Sequence, residues 1–93
     1  MTRKEKIKIA TEDIISQLQN RFHDIKIRGP VEWIDADAAI EVETPKDNGW
    51  EISEFTAPIQ MKYATEWNVF IDVLPLENVN SNANQKLAKA NQK

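Results

Sequence analysis

WIDADAAIEVET, residues 33–44, contains the clearest β-strand signal in this 93-residue chain. A period of two places successive side chains on opposite faces of a strand, so such a segment can bury one face and expose the other. Here one face is apolar and the other acidic: Ala36, Ala38, Ile40 and Val42 alternate with Asp35, Asp37, Glu41 and Glu43. We expect a half-buried strand over about residues 36–43, around which the rest of the chain packs.

A helix is predicted on the N-terminal side of this strand. Thr2 and Glu5 fit a capping box, in which the two side chains satisfy free N–H groups at the start of a helix. Apolar residues then recur at three- and four-residue steps as far as Phe22, which predicts an amphipathic helix over about residues 4–22. His23 follows, where an imidazole can interact favourably with the free carbonyls of the helix end.

A first strand is expected between this helix and residue 33. Ile25 and Ile27 alternate with Lys26 and Arg28, which predicts a strand at about 25–29. Gly29-Pro30 interrupts the alternation, and proline has no N–H to donate to a ladder. We therefore expect an irregular joint before the acidic strand, with Lys26 or Arg28 offsetting some of its charge.

The segment after the acidic strand is ambiguous up to Pro58. The composition of residues 44–49 predicts a turn, and residues 50–55 are expected to be extended or loosely turned, with a helix start nearby as the alternative. Proline is harmless in the first turn of a helix, so we place Thr56 as N-cap and predict a helix over about 56–66.

The third strand is predicted at residues 67–74, WNVFIDVL, ending before Pro75. Apolar residues on both of its faces favour a central strand covered on two sides. Residues 78–93 are rich in Asn, Gln and Lys and almost free of large apolar residues, so we expect a disordered tail.

These elements predict one α+β domain over residues 1–77. A helix between strands two and three is long enough for a parallel crossover, so a small mixed sheet with both helices on one face is expected. The predicted core joins helix residues to strand residues: Ile14, Leu18, Phe22, Phe55, Ile59 and Tyr63 against Ile27, Ile40, Val42, Val69, Ile71 and Val73.

Composition excludes several functional classes. The chain has no cysteine, which removes disulfides and cysteine zinc sites. It has no apolar run of membrane-spanning length, and because no apolar core follows the charged N-terminus we expect no secretory signal. We therefore expect a soluble cytoplasmic protein without membrane contact. The net charge is −3, with the acids concentrated in residues 32–54 and cations at both ends. Such an acidic middle makes nucleic acid an unlikely partner there; a regulator that uses the basic ends on nucleic acid is the weakest alternative.

The acidic strand also contains a candidate metal site. Asp35 and Asp37 project from one face of a strand about 6–7 Å apart, and Asp72 on the predicted neighbouring strand could supply a third carboxylate. Carboxylate oxygens in this arrangement suit Mg²⁺. The sequence lacks the phosphate-binding glycine motifs and the nucleophile motifs of common enzymes.

Asp35-Ala36-Asp37 followed by AAIEVETP, and then SEFTAPIQMKYATEWNVFIDVLPLE, resembles the minimal nucleotidyltransferases of the polymerase-β superfamily over roughly residues 10–77. The resemblance implies Mg²⁺-dependent nucleotidyl transfer, with Asp35 and Asp37 binding Mg²⁺ and the triphosphate and Asp72 as candidate third carboxylate. Some members act as antitoxins. The family's Gly-Ser motif, which precedes the first Asp by about ten residues or more, is absent. Gly29-Pro30 stands only six and five residues before Asp35.

The leading hypothesis from the sequence is a non-catalytic interaction module with no cofactor. Its acidic sheet face would bind a protein partner or a second copy of the chain, with Glu41, Glu43, Trp33 and Trp50 as candidate contact residues. Tryptophans in a small domain are typically core or interface anchors, which fits this hypothesis.

Overall fold

The polypeptide folds as helix, strand, strand, helix, strand in a computed structural model that describes residues 1–45 and 47–77. The predicted element order is confirmed, and the tail predicted at 78–93 lies outside the described residues. The elements are α1 (Arg3–Arg21), β1 (Lys26–Trp33), β2 (Ala36–Thr44), α2 (Gly49–Trp67) and β3 (Ile71–Glu77).

The acidic strand β2 lies in the middle of a three-stranded mixed sheet. The strand order is β1-β2-β3; β1 pairs with β2 antiparallel and β3 pairs with β2 parallel. The parallel pair is connected through α2, because parallel neighbours need a long crossover. The predicted mixed sheet is confirmed, but the prediction that the third strand is central is wrong, since β3 lies at an edge of the sheet that the described residues form.

The hydrophobic core fills the space between the two helices and one face of the sheet. All twelve residues predicted for the core belong to it, eight of them buried and four partly buried and packed against the buried cluster. Three further residues complete the buried cluster: Ala10, Ala38 and Ile52. The even-numbered residues of β2 point into this core, as the alternation of the sequence predicts.

Helix α1 begins at the predicted capping box. The Thr2 hydroxyl accepts a hydrogen bond from the Glu5 N–H at 3.1 Å, and the Glu5 carboxylate accepts one from the Thr2 N–H at 2.7 Å. At the other end the Asn20 carbonyl accepts a hydrogen bond from the His23 ring at 3.0 Å, the helix-end role expected for this histidine. Among the described residues, neither helix has the length and apolar character needed to cross a membrane.

Helix α2 begins at Gly49, seven residues before the predicted start at 56. Residues 50–55 are therefore helical, and the prediction of an extended segment is wrong. Pro58 lies inside the helix on an exposed position, where the carbonyl left without its N–H partner can bond to water. The early start buries Ile52 completely and packs Phe55 on the core, which offsets the local cost of proline.

The outer strands also differ from their predicted bounds. β1 continues through Gly29-Pro30 to Trp33, and the predicted irregular joint is present as two register shifts within the strand. β3 starts at Ile71, because α2 runs on to Trp67 and Asn68 ends it in the left-handed conformation at φ 55°. It then passes through Pro75, which was predicted to end it.

Candidate functional site

Both helices pack on one face of the sheet, and within the described residues no helix or strand covers the opposite face. Paired residues of adjacent strands point to the same side, so the register defines this face as three rows across β1, β2 and β3. We call it the open face. Its rows are Val31, Ala39 and Asp72; Arg28, Glu41 and Leu74; and Lys26, Glu43 and Leu76.

The charges of the open face are partly neutralised within the sheet. Arg28 forms an ion pair with Glu43, the offsetting contact expected from the sequence. Glu41 and Asp72 form no ion pair with any residue in the described part of the chain. The surplus of negative charge therefore lies toward β3, while the β1 side carries the two cations.

Apolar side chains adjoin these free carboxylates. Leu74 is half-buried beside Glu41, and Leu76 is 42% exposed in the next row. Ala39, in the first row of this face, is fully buried and is not part of the main core cluster. The open face thus presents leucine next to carboxylate, a combination that suits contact with an apolar and basic surface.

Asp37, predicted to be a magnesium ligand, connects three separate parts of the fold. One carboxylate oxygen accepts a hydrogen bond from the Arg3 guanidinium and the other accepts one from the Phe70 N–H, both at 2.8 Å. The Asp37 N–H in turn donates to the Phe70 carbonyl at 2.8 Å. This carboxylate therefore fastens the start of β2 to the start of α1 and to the segment that leads into β3.

These contacts set the protonation of Asp37. Burial alone would raise the pKa of its carboxyl group, but the N–H of Phe70 and the guanidinium of Arg3 outweigh burial and hold the pKa below the ordinary value of 3.8. The carboxylate is therefore ionised at neutral pH, with an acceptor contact on each oxygen.

The structure places the three aspartates of the predicted magnesium site in different surroundings. Asp35 lies exposed in the turn between β1 and β2, Asp37 is engaged as described, and Asp72 pairs with Ala39 two residues further along β2. Within residues 1–45 and 47–77, no group of three or more acidic or histidine side chains is placed to hold a metal ion.

The two tryptophans predicted to contact a partner are exposed but lie apart. Trp33 ends β1 and is 44% exposed, whereas Trp50 lies in the first turn of α2 and is 74% exposed. Glu41 and Glu43 lie together on the open face, so the structure groups two of the four predicted contact residues.

Sequence reasoning missed the polar contact between the two helices. The Tyr63 hydroxyl donates to the Asp13 carboxylate at 2.5 Å. Burial, followed by this contact with Asp13, raises the pKa of Tyr63 to about 12, and the same hydrogen bond lowers the pKa of Asp13. The two residues are fifty positions apart, and their helical spacing gives no sign that they meet.

Comparisons with protein-family models, with curated proteins and with solved structures each found no match to this chain. The resemblance to nucleotidyltransferases therefore stays a prediction from the sequence.

Proposed function

We propose that this protein is a small interaction module whose open face binds a basic, amphipathic surface of another protein. The observation that carries the proposal is the one-sided cover of the sheet: both helices pack on the core side, and the described chain leaves the other side free. A two-layer domain of this kind can receive a third layer from a partner.

Charge complementarity favours a basic partner over a second copy of the chain. Glu41 and Asp72 have no cation of their own among the described residues, so a partner lysine or arginine can pair with them without breaking an existing contact. In a face-to-face dimer, by contrast, Lys26 is the one open-face cation outside an ion pair among the described residues, so Arg28 would have to leave Glu43 to serve the second carboxylate of the other copy. Leu74 and Leu76 supply the apolar contact beside these charges.

The test uses a synthetic helical peptide with leucine on one face and lysine on the other, and compares its binding to the wild-type chain and to variants. Titration of the full chain, followed by amide NMR, should move signals of residues 39–43 and 72–76. The double variant Glu41→Lys, Leu76→Asn should weaken binding about tenfold, the effect of roughly 1.4 kcal/mol from a reversed charge and a lost apolar contact.

A matched control exists on the solvent side of α1. Ile9 has the same 42% exposure as Leu76, and Glu12 is an exposed acid, so Glu12→Lys, Ile9→Asn makes the same change of charge and polarity away from the sheet. The control should bind like the wild type. Equal weakening of both double variants, or signals that move on the helices alone, would refute the proposal. A concentration-dependent dimer that blocks the peptide would show that a second copy occupies the face instead.

A further inference from the structure

One side of β3 has no strand partner in the described part of the chain. The Phe70 carbonyl points toward β2, where it accepts from the Asp37 N–H. The backbone groups of successive residues in a strand point to opposite sides of it. The backbone groups of Ile71, Val73 and Pro75 therefore point away from β2. We call this side of Ile71–Val73 the free edge. Pro75 has no N–H, so the free edge has no backbone donor at this position. The hydrogen bonds between β3 and β2 do not need that N–H.

A glutamine side chain already occupies the first hydrogen-bonding position of the free edge. The Gln60 amide, from α2, donates to the Ile71 carbonyl at 2.8 Å. This is the contact that the N–H of an adjacent strand would make, so the edge carbonyl is accessible to an amide donor. A side chain can move aside for an incoming strand more easily than a backbone segment can.

An apolar cavity lies next to the free edge. Its volume is about 360 Å³ and its lining includes Ala57, Met61 and Ala64 of α2 together with Phe70 and Asp72. Met61 is 65% exposed and Phe70 47% exposed, so large apolar surface is available to a ligand. The two alanines leave room for an incoming side chain, and Asp72 contributes a carboxylate without an ion pair among the described residues.

We propose that the free edge of β3 accepts an extended segment of a partner protein as a fourth strand. The segment would replace Gln60 at the Ile71 carbonyl and pair with the N–H of Val73, the mode known as β-strand addition. It would place an apolar side chain in the cavity beside Met61 and a lysine or arginine near Asp72. This edge shares Asp72 with the open face but not Glu41 or Leu76, so variants at Met61 and variants at Glu41 and Leu76 distinguish the two proposals.

The probe is a short capped peptide of alternating valine and lysine, added to the full chain. Hydrogen exchange of the Val73 amide, followed by NMR, should slow at least tenfold at saturating peptide, because a new strand protects it. Met61→Lys should abolish this protection by placing in the cavity a charge that repels the lysines of the peptide, whereas Ile9→Lys, at an exposed apolar position on α1, should leave it intact.

Gln60→Ala tests whether the Gln60 side chain competes with the peptide for the Ile71 carbonyl. If Gln60 only stabilised the fold, its removal would not raise the affinity for the peptide. Because the peptide no longer competes with the amide side chain, its affinity should rise about threefold to tenfold. Unchanged exchange at Val73, or equal binding of the peptide to the Met61→Lys and wild-type chains, would overturn the proposal. Protection of Val73 that grows with protein concentration in the absence of peptide would also overturn it, in favour of edge pairing between two copies.

Discussion

At the scale of single residues, Asp37 makes contacts that its place in the sequence does not indicate. An Asp-x-Asp pattern on a strand suggests a metal ligand, but the partners of Asp37 are Arg3 and Phe70, 34 and 33 residues away. Nothing local in the sequence indicates contacts at that separation. The Asp37 carboxylate connects β2 to the first residue of α1 and to the segment before β3.

Replacing Asp37 by Asn should destabilise the protein by about 1–2 kcal/mol at pH 7, because the charge-assisted hydrogen bonds are weakened. The folded-state pKa of Asp37 lies below its ordinary 3.8, so this stabilisation is complete above that value and is lost as the pH falls through the folded pKa. Denaturant unfolding at several pH values should show the gap between wild type and variant closing below about pH 4. Asp35→Asn, an exposed control two residues away, should unfold like the wild type throughout.

Gly29 is the second residue with a specific conformational task. It adopts φ +107°, and a Cβ there would lie 3.0 Å from the Ala39 carbonyl oxygen and 3.0 Å from the Val31 nitrogen. We expect Gly29→Ala to cost about 1–3 kcal/mol in the free energy of unfolding, through backbone strain and this close approach to β2. Glu32→Ala, at an exposed position of the same strand, should cost far less; equal stability of Gly29→Ala and wild type would contradict this account.

At the scale of elements, α2 illustrates how tertiary packing overrides a local signal. The position of Pro58 predicts a late helix start, yet the helix runs from Gly49 because Ile52, Phe55 and Tyr63 share its core-facing side. The first two turns of α2 are therefore stabilised by the burial of Ile52 and Phe55 against the rest of the fold, which capping and proline rules do not predict.

Pro58→Ala should stabilise α2, because it restores the hydrogen bond to the Glu54 carbonyl and removes the clash of the proline ring. We expect a gain of about 1–3 kcal/mol, visible as a higher denaturant midpoint with an unchanged m-value. Thr65→Ala, an exposed position on the same helix, should change the midpoint little. A destabilised Pro58→Ala variant would mean that the proline stabilises this helix, contrary to the packing argument.

At the scale of the whole molecule, the sequence predicts the element order and the core but not the strand order. The alternation of Ala38, Ile40 and Val42 with acids correctly predicts which face of β2 is buried. The neighbours of a strand depend on pairing between distant segments, and the apolar residues on both faces of residues 67–74 pointed wrongly to a central strand. In the structure, Phe70 lies before β3 and Leu74 belongs to the open face.

The same limit applies to the candidate site. The acids of β2 are evident from the sequence, but the register that sets Arg28 beside Glu43 and leaves Glu41 and Asp72 without ion pairs among the described residues is a property of the assembled sheet. The interaction hypothesis and the candidate Glu41 follow from the sequence, whereas the parts given to Asp72, Leu74 and Leu76 follow from the fold.

The most direct test of the central claim is methyl NMR of the full chain with a dissolved paramagnetic relaxation agent, before and after addition of the leucine–lysine helical peptide. We predict strong relaxation of the Leu74 and Leu76 methyls in the free chain, loss of that relaxation with peptide, and little relaxation of the Ile40 and Val42 methyls in either state. Leucine methyls that are already shielded in the free chain, or that stay equally relaxed at saturating peptide, would contradict the account.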